Sequence, residues 1–532
     1  MNYLINKTGA AILAITVLFT SSCKKNFESV NTPPEGATDN STGAVFNAIV
    51  SSLPLSAGEY SVMNSWLYPI TQQGVVAAGA YPYDNAKTPV WQNYYQTLAN
   101  YRAMQARISS SKDSATLNNV YGMLKTLMAY KTFKNTNYYG DMPYSKAGYA
   151  PLNGASGYMA AYDKQADIYA SLLTDLKWAV DHFSTDASQV ALGSYETFFQ
   201  GNISLWTKFA NSLRLYIAVT MYDKNSGLAG PAIAEALGKP LLADGDDIGL
   251  WPAKIANLQF QWRQWSFSAN CYLRMGSTMW GLMSANNNTD GSGIFDMRAH
   301  IFFEPNGNDQ WVAYPQNPNP VPTEGGSPYN TLRFTNWDTL RTGMNYSPFN
   351  VYFEQDLLSI PELILTSGQV HFLKAEAYNR GLGVTASAAT AQTEYNAGIA
   401  ASMNMWKGIA FNSSVWTKNK PASATATPAE ITAVQTNSIT AYDLTNSAHA
   451  LSQIYAQLWI DQYRQPWDAW LLQRRTGNKT PMSAANPTYY TNLYGSYQRF
   501  VYPDDEKSYN TANYDAETGG TDVNSTKLWI AK

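Results

Sequence analysis

The chain has 532 residues, of which 45% are hydrophobic and 14% are charged, with a formal net charge of −3 at pH 7. This length and apolar content predict a globular chain with a large core, and the near-neutral charge excludes the basic surface that nucleic-acid binding needs. No run after residue 19 approaches 18 uninterrupted apolar residues, so the rest of the sequence predicts no membrane-spanning helix.

The N-terminal segment has the pattern of a secretory signal peptide. Lys7 is the only charged residue among residues 1–8, and the eleven residues 9–19 are almost wholly apolar. Eleven helical residues rise about 16 Å, roughly half of the ~30 Å apolar thickness of a bilayer, so this run is too short to span one. Residues 1–22 are therefore interpreted as a signal peptide.

The three small residues before Cys23 resemble the lipobox of bacterial lipoproteins, although Thr20 stands where lipoboxes prefer Leu. The resemblance implies that Cys23 carries a diacylglycerol and anchors the protein to a membrane. The alternative is an ordinary signal peptide with Cys23 unmodified.

Residues 23–40 are polar and rich in Pro and Gly, which predicts a flexible tether. With Cys23 acylated, Cys271 has no partner for an intrachain disulfide.

Helical periodicity dominates residues 41–532 and predicts a single, mostly α-helical domain with few short strands. Apolar residues recur at three- and four-residue steps in 162–183 and 204–222, as expected for amphipathic helices. Further helices are predicted at 90–108, 115–135, 368–380, 387–404 and 447–464. Pro466 should end or kink the last of these, before a shorter helix through "WDAWLLQRR".

Two long segments between the helices, 284–350 and 407–446, are rich in Gly, Asn, Pro and Ser. Loops of this length are usually functional or disordered. The first contains several Trp and Tyr residues, which indicates order. The second is plainer, and we interpret it as a solvated excursion.

The sequence contains no HExxH, GxSxG, P-loop or dinucleotide-binding motif, and its four histidines are widely scattered. His371 lies in an apolar helical pattern and is interpreted as a packed core residue.

The acidic turn "ADGDDIG" at 243–249 has oxygen ligands of the kind calcium takes, but it fits no EF-hand loop, and a solvated turn is the preferred interpretation. We predict no cofactor. A carboxylate pair for glycoside hydrolysis cannot be recognised from sequence, because such a pair is defined by the distance between its two carboxyl groups in the folded protein.

Seven segments resemble, in order and spacing, the SusD/RagB family of Bacteroidetes nutrient-binding lipoproteins, in its SusD-like branch. They are "YYGDMPYSKA" (138–147), "YDKQADIYASLLTDL" (162–176), "LWTKFANSLRLYIA" (205–218), "FLKAEAYNRG" (372–381), "EYNAGIAASMNMW" (394–406), "WDAWLLQRRTGNKTP" (467–481) and "RFVYPDDEKSYN" (499–510). Each also reads as a helix end, a cap or a packed face, so we interpret them as scaffold rather than ligand site. Gln369 departs from the family pattern, which commonly has Glu there.

The resemblance implies tetratricopeptide-like helix pairs packed against an irregular, loop-rich half. It further implies a non-catalytic lipoprotein of the outer membrane, facing the cell exterior, that binds an oligosaccharide or a peptide and delivers it to a SusC-like TonB-dependent barrel. Lys24 and Lys25 make the segment after Cys23 less acidic than the usual surface-export signal. The alternatives are a surface glycoside hydrolase with paired carboxylates and a structural envelope lipoprotein.

The chain is rich in aromatic residues, with 16 Trp, 37 Tyr and 19 Phe, which suit both cores and sites for neutral polar ligands. Those in helical stripes are predicted to pack in the core: Trp178, Trp206, Trp280 and Trp459. Those in polar, turn-rich segments are candidates for ligand binding, because binding groups concentrate in loops: Trp66, Tyr81, Tyr83, Trp262, Trp265, Trp311 and Trp337, with Asp84 and Asn85 as hydroxyl partners. We expect Trp66, Tyr81, Tyr83 and Trp311 to form one exposed aromatic platform.

Overall fold

The computed structural model describes residues 38–76, 81–154, 158–255, 258, 260–268, 273–316, 343–483 and 487–532. Val45–Lys532 form one compact unit. The predicted signal peptide, Cys23, Cys271 and Trp337 lie outside the described residues, as does the side chain of Trp265. In the part of the chain that is described, no helix is both long and apolar enough to cross a membrane.

Most of the described residues are helical. The α-helices are α1 (Thr38–Ser51), α2 (Ala57–Val62), α3 (Tyr68–Thr71), α4 (Lys87–Ser110), α5 (Asn118–Tyr139), α6 (Ala150–Asn153), α7 (Gln165–His182), α8 (Ile203–Met221), α9 (Ser226–Leu237), α10 (Gln261–Ser268), α11 (Ser277–Met283), α12 (Arg298–Phe302), α13 (Tyr352–Gln355), α14 (Ser367–Arg380), α15 (Ala388–Asn412), α16 (Pro428–Thr436), α17 (Ser447–Asp461), α18 (Pro466–Thr476), α19 (Pro487–Ser496), α20 (Asp504–Tyr509) and α21 (Thr511–Thr518). A π-helical turn covers Met63–Leu67, and 3-10 helices cover Tyr83–Ala86, Ser114–Leu117 and Gly193–Tyr195.

The strands are short, as the sequence predicts, and form two-stranded sheets. They are β1 (Val75–Val76), β2 (Ile248–Leu250), β3 (Leu273–Arg274) and β4 (Glu362–Leu365). β1 pairs with β3 and β2 pairs with β4, both antiparallel, and a register shift between Ile248 and Gly249 interrupts the second pair. These small sheets connect distant parts of the chain rather than forming a layer of their own.

The long helices pack as neighbours along the chain. α4 packs against α5, α7 packs against α5 and α8, and α8 packs against α9. Towards the C-terminus, α14 packs against α15 and α17. Between α9 and α14 the described chain has only short helices and strands. The structure thus confirms a mostly helical fold of paired helices with an irregular half.

The helices predicted from periodicity are confirmed, with differences at their ends. α7 buries the predicted stripe, and Leu172, Leu173 and Leu176 are at most 4% exposed. Pro466 does not kink α17, which ends at Asp461. Pro466 instead begins α18, where its missing N–H costs no intrahelical hydrogen bond.

The interpretation of 407–446 as a solvated excursion is wrong. α15 continues to Asn412, and Trp416 beyond it is 2% exposed. α16 begins with a capping box, in which Thr427 and Glu430 each satisfy a backbone N–H of the other. The buried Trp and the capped helix make this segment an ordered part of the fold, although most of its residues after Trp416 are exposed or half-buried.

Three of the four tryptophans predicted to pack in the core do so. Trp206 and Trp459 are fully buried and Trp280 is 4% exposed. Trp178 is only half-buried, because it lies at the edge of its helical stripe. There it stacks on His182 with ring centroids 4.1 Å apart.

His371 is not a packed core residue. Its ring is partly exposed and lies between two carboxylates, 2.6 Å from Glu394 and 3.1 Å from Asp244. Lys374 joins the same cluster through Glu394, at 2.6 Å. His371 therefore belongs to a charged network at the surface of α14.

Candidate functional site

Trp66 lies on the π-helical turn Met63–Leu67, between α2 and α3. The turn is widened by one residue, since the N–H of Tyr68 donates to the carbonyl of Met63. Pro69 follows immediately and cannot donate to the carbonyl four residues before it, so a normal helical ladder is interrupted here. Single π-turns are frequent at functional sites, and nothing in the hydrophobic pattern predicted this one.

The Trp66 ring is held in a fixed orientation. Its indole N–H donates to the carbonyl oxygen of Tyr81 across 2.7 Å. The Tyr497 ring lies tilted beside it with centroids 4.9 Å apart, and the Tyr83 ring meets it edge-on at 6.1 Å. Trp66, Tyr81 and Tyr497 are each half-buried, so part of each residue faces solvent.

Tyr83 is buried beneath these residues. It is 5% exposed and packs against Phe500 and Trp470, with centroids 5.2 and 6.5 Å away. Burial raises the pKa of the Tyr83 hydroxyl well above its ordinary value. Tyr83 is therefore a core residue that packs against the half-buried rings of Trp66 and Tyr497, and the prediction that it joins an exposed platform is wrong.

Two polar residues follow Tyr83 in the chain. Asp84 accepts a hydrogen bond from the side-chain amide of Asn524 at 2.9 Å, and Asn85 is exposed. Both residues lie on the 3-10 helix that leads into α4. We call the group formed by Trp66, Tyr81, Asp84, Asn85 and Tyr497 the Trp66 surface.

Trp311 belongs to a different cluster. It is 9% exposed, stacks nearly parallel to Trp280 at 6.2 Å, and meets the edge of His300 at 5.0 Å. A Cβ at Gly291 would lie 2.8 Å from the Trp311 ring, which shows how closely the backbone covers it. The prediction that Trp311 joins an exposed platform is wrong, because the turn-rich segment around it folds over its ring.

Trp262 lies at a separate, polar recess. It is 42% exposed and borders a cavity of about 280 Å³ that Asn93, Lys131 and Asn135 also line. Lys131 donates to the carbonyl of Ser52 at 2.6 Å, and burial lowers its pKa to about 7. Trp262 is therefore the one predicted candidate of its segment whose side chain the structure describes as exposed.

The acidic turn at 243–249 is engaged by protein groups. Asp246 accepts from Lys208 at 2.8 Å and from the backbone N–H of Ala243 at 3.0 Å. Asp247 accepts from the backbone N–H of Ser367 at 2.8 Å, at the start of α14. Within the described ranges, no group of three or more His, Cys, Asp or Glu side chains is placed to hold a metal ion.

Two half-buried carboxylic acids line one small cavity. Glu362 and Asp468 border a space of about 50 Å³. Burial raises the pKa of Glu362 to about 7 and that of Asp468 to about 6. Ligand pockets usually have about 300 to 1,000 Å³, so this space can hold water but not a sugar ring.

Comparison with known proteins identifies the family. The family described as "Starch-binding associating with outer membrane", of the SusD-like type, matches residues 40–503, and the chain belongs to it. Among solved structures, a chitin-binding protein is similar with 21% identity and a TM-score of 0.70, covering 92% of this chain and 99% of its own. No curated relative matches the sequence.

Two further solved structures have the same fold. A SusD homologue from Bacteroides fragilis shares 19% identity with a TM-score of 0.67, covering 92% of this chain and 100% of its own. A chitin-binding SusD homologue from Flavobacterium johnsoniae shares 19% identity with a TM-score of 0.64, covering 92% of this chain and 98% of its own.

The Trp66 surface was only partly predictable. Trp66, Tyr81, Asp84 and Asn85 stand in one turn-rich segment and were found by that context. Tyr497 follows α19, far away in sequence, and no local signal linked it to Trp66. The residues around Tyr497 have the mixed polar and apolar pattern that is found around any packed aromatic residue.

Proposed function

We propose that this protein is a non-catalytic, lipid-anchored glycan-binding protein of the outer membrane that captures an oligosaccharide. The observation that carries the proposal is the Trp66 surface, where the half-buried Trp66 ring is held in place by Tyr81 and packs beside Tyr497 in a protein of the SusD-like family. A peptide is the other ligand class that the family resemblance suggests.

The chemistry of the Trp66 surface suits a neutral sugar. The C–H face of a pyranose can stack on the ring of Trp66 or Tyr497, while Asp84 and Asn85 can bond its hydroxyls. The hydrogen bond from Trp66 to Tyr81 fixes the indole before binding, so little side-chain entropy is lost on association. Affinity at such an open, hydrated surface should be weak.

The proposal includes delivery to a transporter. In this account the protein covers a SusC-like TonB-dependent barrel and passes the captured glycan to it. Residues 1–22 are the signal peptide, residues 23–40 are the tether, and residues 41–532 are the binding domain. Cys23 carries the lipid, and the domain faces the cell exterior.

A glycoside hydrolase is the competing function. Such an enzyme needs two carboxyl groups about 5 to 10 Å apart on either side of a bound sugar. Glu362 and Asp468 have the raised pKa values that a catalytic acid needs, but their shared space of about 50 Å³ does not admit a sugar. This favours a binding protein.

The experiment is retention of the purified protein on insoluble starch and insoluble chitin, with release of reducing sugar measured in the same tubes. We expect retention on at least one polysaccharide without sugar release. Release of sugar would favour the hydrolase. Absence of retention on both would contradict glycan capture for these two classes.

Transport coupling needs its own measurement. After extraction in mild detergent, the tagged protein should recover a large outer-membrane β-barrel, because a lid over a pore should bury more than the ~1,600 Å² of a standard interface. Recovery of the lipoprotein alone at every detergent strength would contradict a stable complex. It would then favour a protein that binds glycan without a barrel partner.

A further inference from the structure

A second recess lies away from the Trp66 surface, along helix α4. It has a volume of about 710 Å³, within the usual range for ligand pockets. One wall is the outer face of α4, a second is formed by residues between Pro143 and Pro151 together with Tyr158 and Ala160, and a third is helix α20. We call this recess the α4 cleft.

Two exposed tyrosines stand at the α4 cleft. Tyr509 is 78% exposed and Tyr158 is 75% exposed, and they are the two most exposed large apolar side chains in the described parts of the chain. They lie far apart in the sequence, yet both line this one cleft. Leaving two such rings in water costs free energy unless something covers them.

The floor of the cleft is aromatic and rigid. Trp91 is 5% exposed and packs against Tyr95 with centroids 4.8 Å apart. The Tyr95 hydroxyl donates to the carbonyl of Pro143 at 2.8 Å, which ties the floor to the second wall. A ligand would therefore meet a surface that is already in place.

Amide and carboxylate groups border the rings. The exposed side chain of Gln92 donates to Asp505 at 2.9 Å, across the gap between α4 and α20. Gln96 lies one turn further along α4 and is also exposed. On the third wall, Asn510 donates to the carbonyl of Ala160 at 2.9 Å, which holds the end of α20 against the second wall.

We propose that the α4 cleft is a second carbohydrate-binding site, with a neutral oligosaccharide as its ligand. Tyr158 and Tyr509 stack on sugar faces, and Gln92, Gln96 and Asp505 bond hydroxyls. Rings alternating with amides and a carboxylate suit a sugar, whose faces are apolar and whose edges are polar. The ligand class rests on the proposed function, whereas the site is separate from the Trp66 surface.

A chain of buried rings separates the two surfaces. From Trp66 it runs through Tyr83, Phe500 and Tyr139 to Trp91, with neighbouring centroids 4.9 to 6.1 Å apart. Two weak sites on one rigid body raise the apparent affinity for a polymer that reaches both. A second site would thus help the protein hold a polysaccharide, even though each surface alone binds weakly.

The test is hydroxyl-radical footprinting of the full chain, with and without saturating maltoheptaose or chitohexaose. Leu358 is the internal control, since it is 74% exposed and lines neither surface. We expect at least one glycan to lower the oxidation of Tyr158 and Tyr509 several-fold while that of Leu358 stays unchanged. Protection of Trp66 and Tyr497 without protection of the two cleft tyrosines would overturn the second site and leave the proposed function standing.

Variants complete the test. Tyr158→Ala combined with Tyr509→Ala should weaken retention on the bound polysaccharide by at least about 5-fold, to the level that the Trp66 surface alone supports, without changing the melting temperature. Leu358→Ala is the matched control and should bind like wild type. If the double variant keeps its glycan binding but no longer recovers the β-barrel, the cleft is a protein-docking surface and the inference is wrong. Protection of neither surface by either glycan would contradict both sites.

Discussion

Arg475 of α18 and Glu376 of α14 form a two-pronged ion pair in the core, with nitrogen–oxygen distances of 3.0 and 2.8 Å. Both side chains are at most 3% exposed. Glu376 also accepts from Arg380 at 2.7 Å and from the Tyr455 hydroxyl at 2.9 Å. Burial alone would raise the pKa of Glu376, but the two guanidinium groups more than offset it and hold this pKa below its ordinary value.

Arg475→Ala should destabilise the fold strongly, because it leaves Glu376 buried without its main partner. We expect a loss of about 3–5 kcal/mol in the free energy of unfolding, measured by urea denaturation. Lys177→Ala is the control, since Lys177 is 47% exposed and its pair with Asp181 should contribute under about 1 kcal/mol. Equal losses in the two variants would contradict a structural role for the Arg475 pair.

That pair shows what the sequence could and could not predict. The motifs "FLKAEAYNRG" and "WDAWLLQRRTGNKTP" were interpreted as scaffold, and the ion pair between them confirms this. The two arginines of the second motif do more than mark a helix end. Arg475 pairs with Glu376, while Arg474 lies over the Trp470 ring at 3.5 Å and donates to the carbonyl of Gln498 at 2.7 Å.

Helix positions were predictable because apolar periodicity is a local property of the chain. Exposure of loop aromatics was not, because it depends on what folds over them. Tyr83 and Trp311 have the same sequence context as Trp66, but Phe500 covers the first and Trp280 stacks on the second. Tyr158 and Tyr509 stand out only after folding brings their segments together.

Two glycines of α15 should respond in opposite ways to alanine. A Cβ at Gly398 would lie 2.6 Å from the Phe372 ring, where α14 and α15 meet, whereas at Gly408 the nearest atom is 3.4 Å away. Gly398→Ala should cost about 1–3 kcal/mol by overpacking. Gly408→Ala should stabilise by up to about 1 kcal/mol, because Gly is the poorer helix former. Thermal denaturation of both variants checks this, and stabilisation by Gly398→Ala would contradict the packing.

Stability should fall as pH rises towards neutrality, and Glu362 should be one cause. Its side chain accepts from the Tyr60 hydroxyl and from the N–H of Leu55, and burial raises its pKa from 4.5 to about 7. A raised carboxyl pKa means that the folded state holds the proton more tightly than the unfolded state. The stabilisation is therefore complete below about pH 4.5 and is lost as pH rises through 7.

Glu362→Gln should remove this dependence. The variant should match wild type near pH 4.5 and exceed it at pH 8 by about 3 kcal/mol, the value of the pKa difference. Asp504→Asn is the control, since that carboxylate is 90% exposed. Urea denaturation from pH 4.5 to 8 is the measurement, and parallel profiles for wild type and Glu362→Gln would contradict the account.

The lipid anchor is tested at Cys23. Replacing Cys23 with Ala removes the thiol that we propose accepts the diacylglycerol, so the protein should move from the membrane fraction to the aqueous fraction. Ser22→Ala is the matched control and should stay membrane-bound, since it keeps a small residue and the thiol. If Cys23→Ala remains as firmly bound as wild type, lipidation at this residue is wrong.

The central claim, glycan capture at the Trp66 surface, is tested most directly by calorimetric titration of wild type, Trp66→Ala and Trp178→Ala with maltoheptaose and chitohexaose. Both tryptophans are half-buried, so the two variants should lose similar stability. The account predicts that wild type binds at least one glycan, that Trp66→Ala weakens the binding contributed by the Trp66 surface about 5- to 150-fold while any binding at the α4 cleft remains, and that Trp178→Ala binds like wild type. Trp66→Ala binding with the same affinity and stoichiometry as wild type, or wild type binding neither glycan, would contradict it.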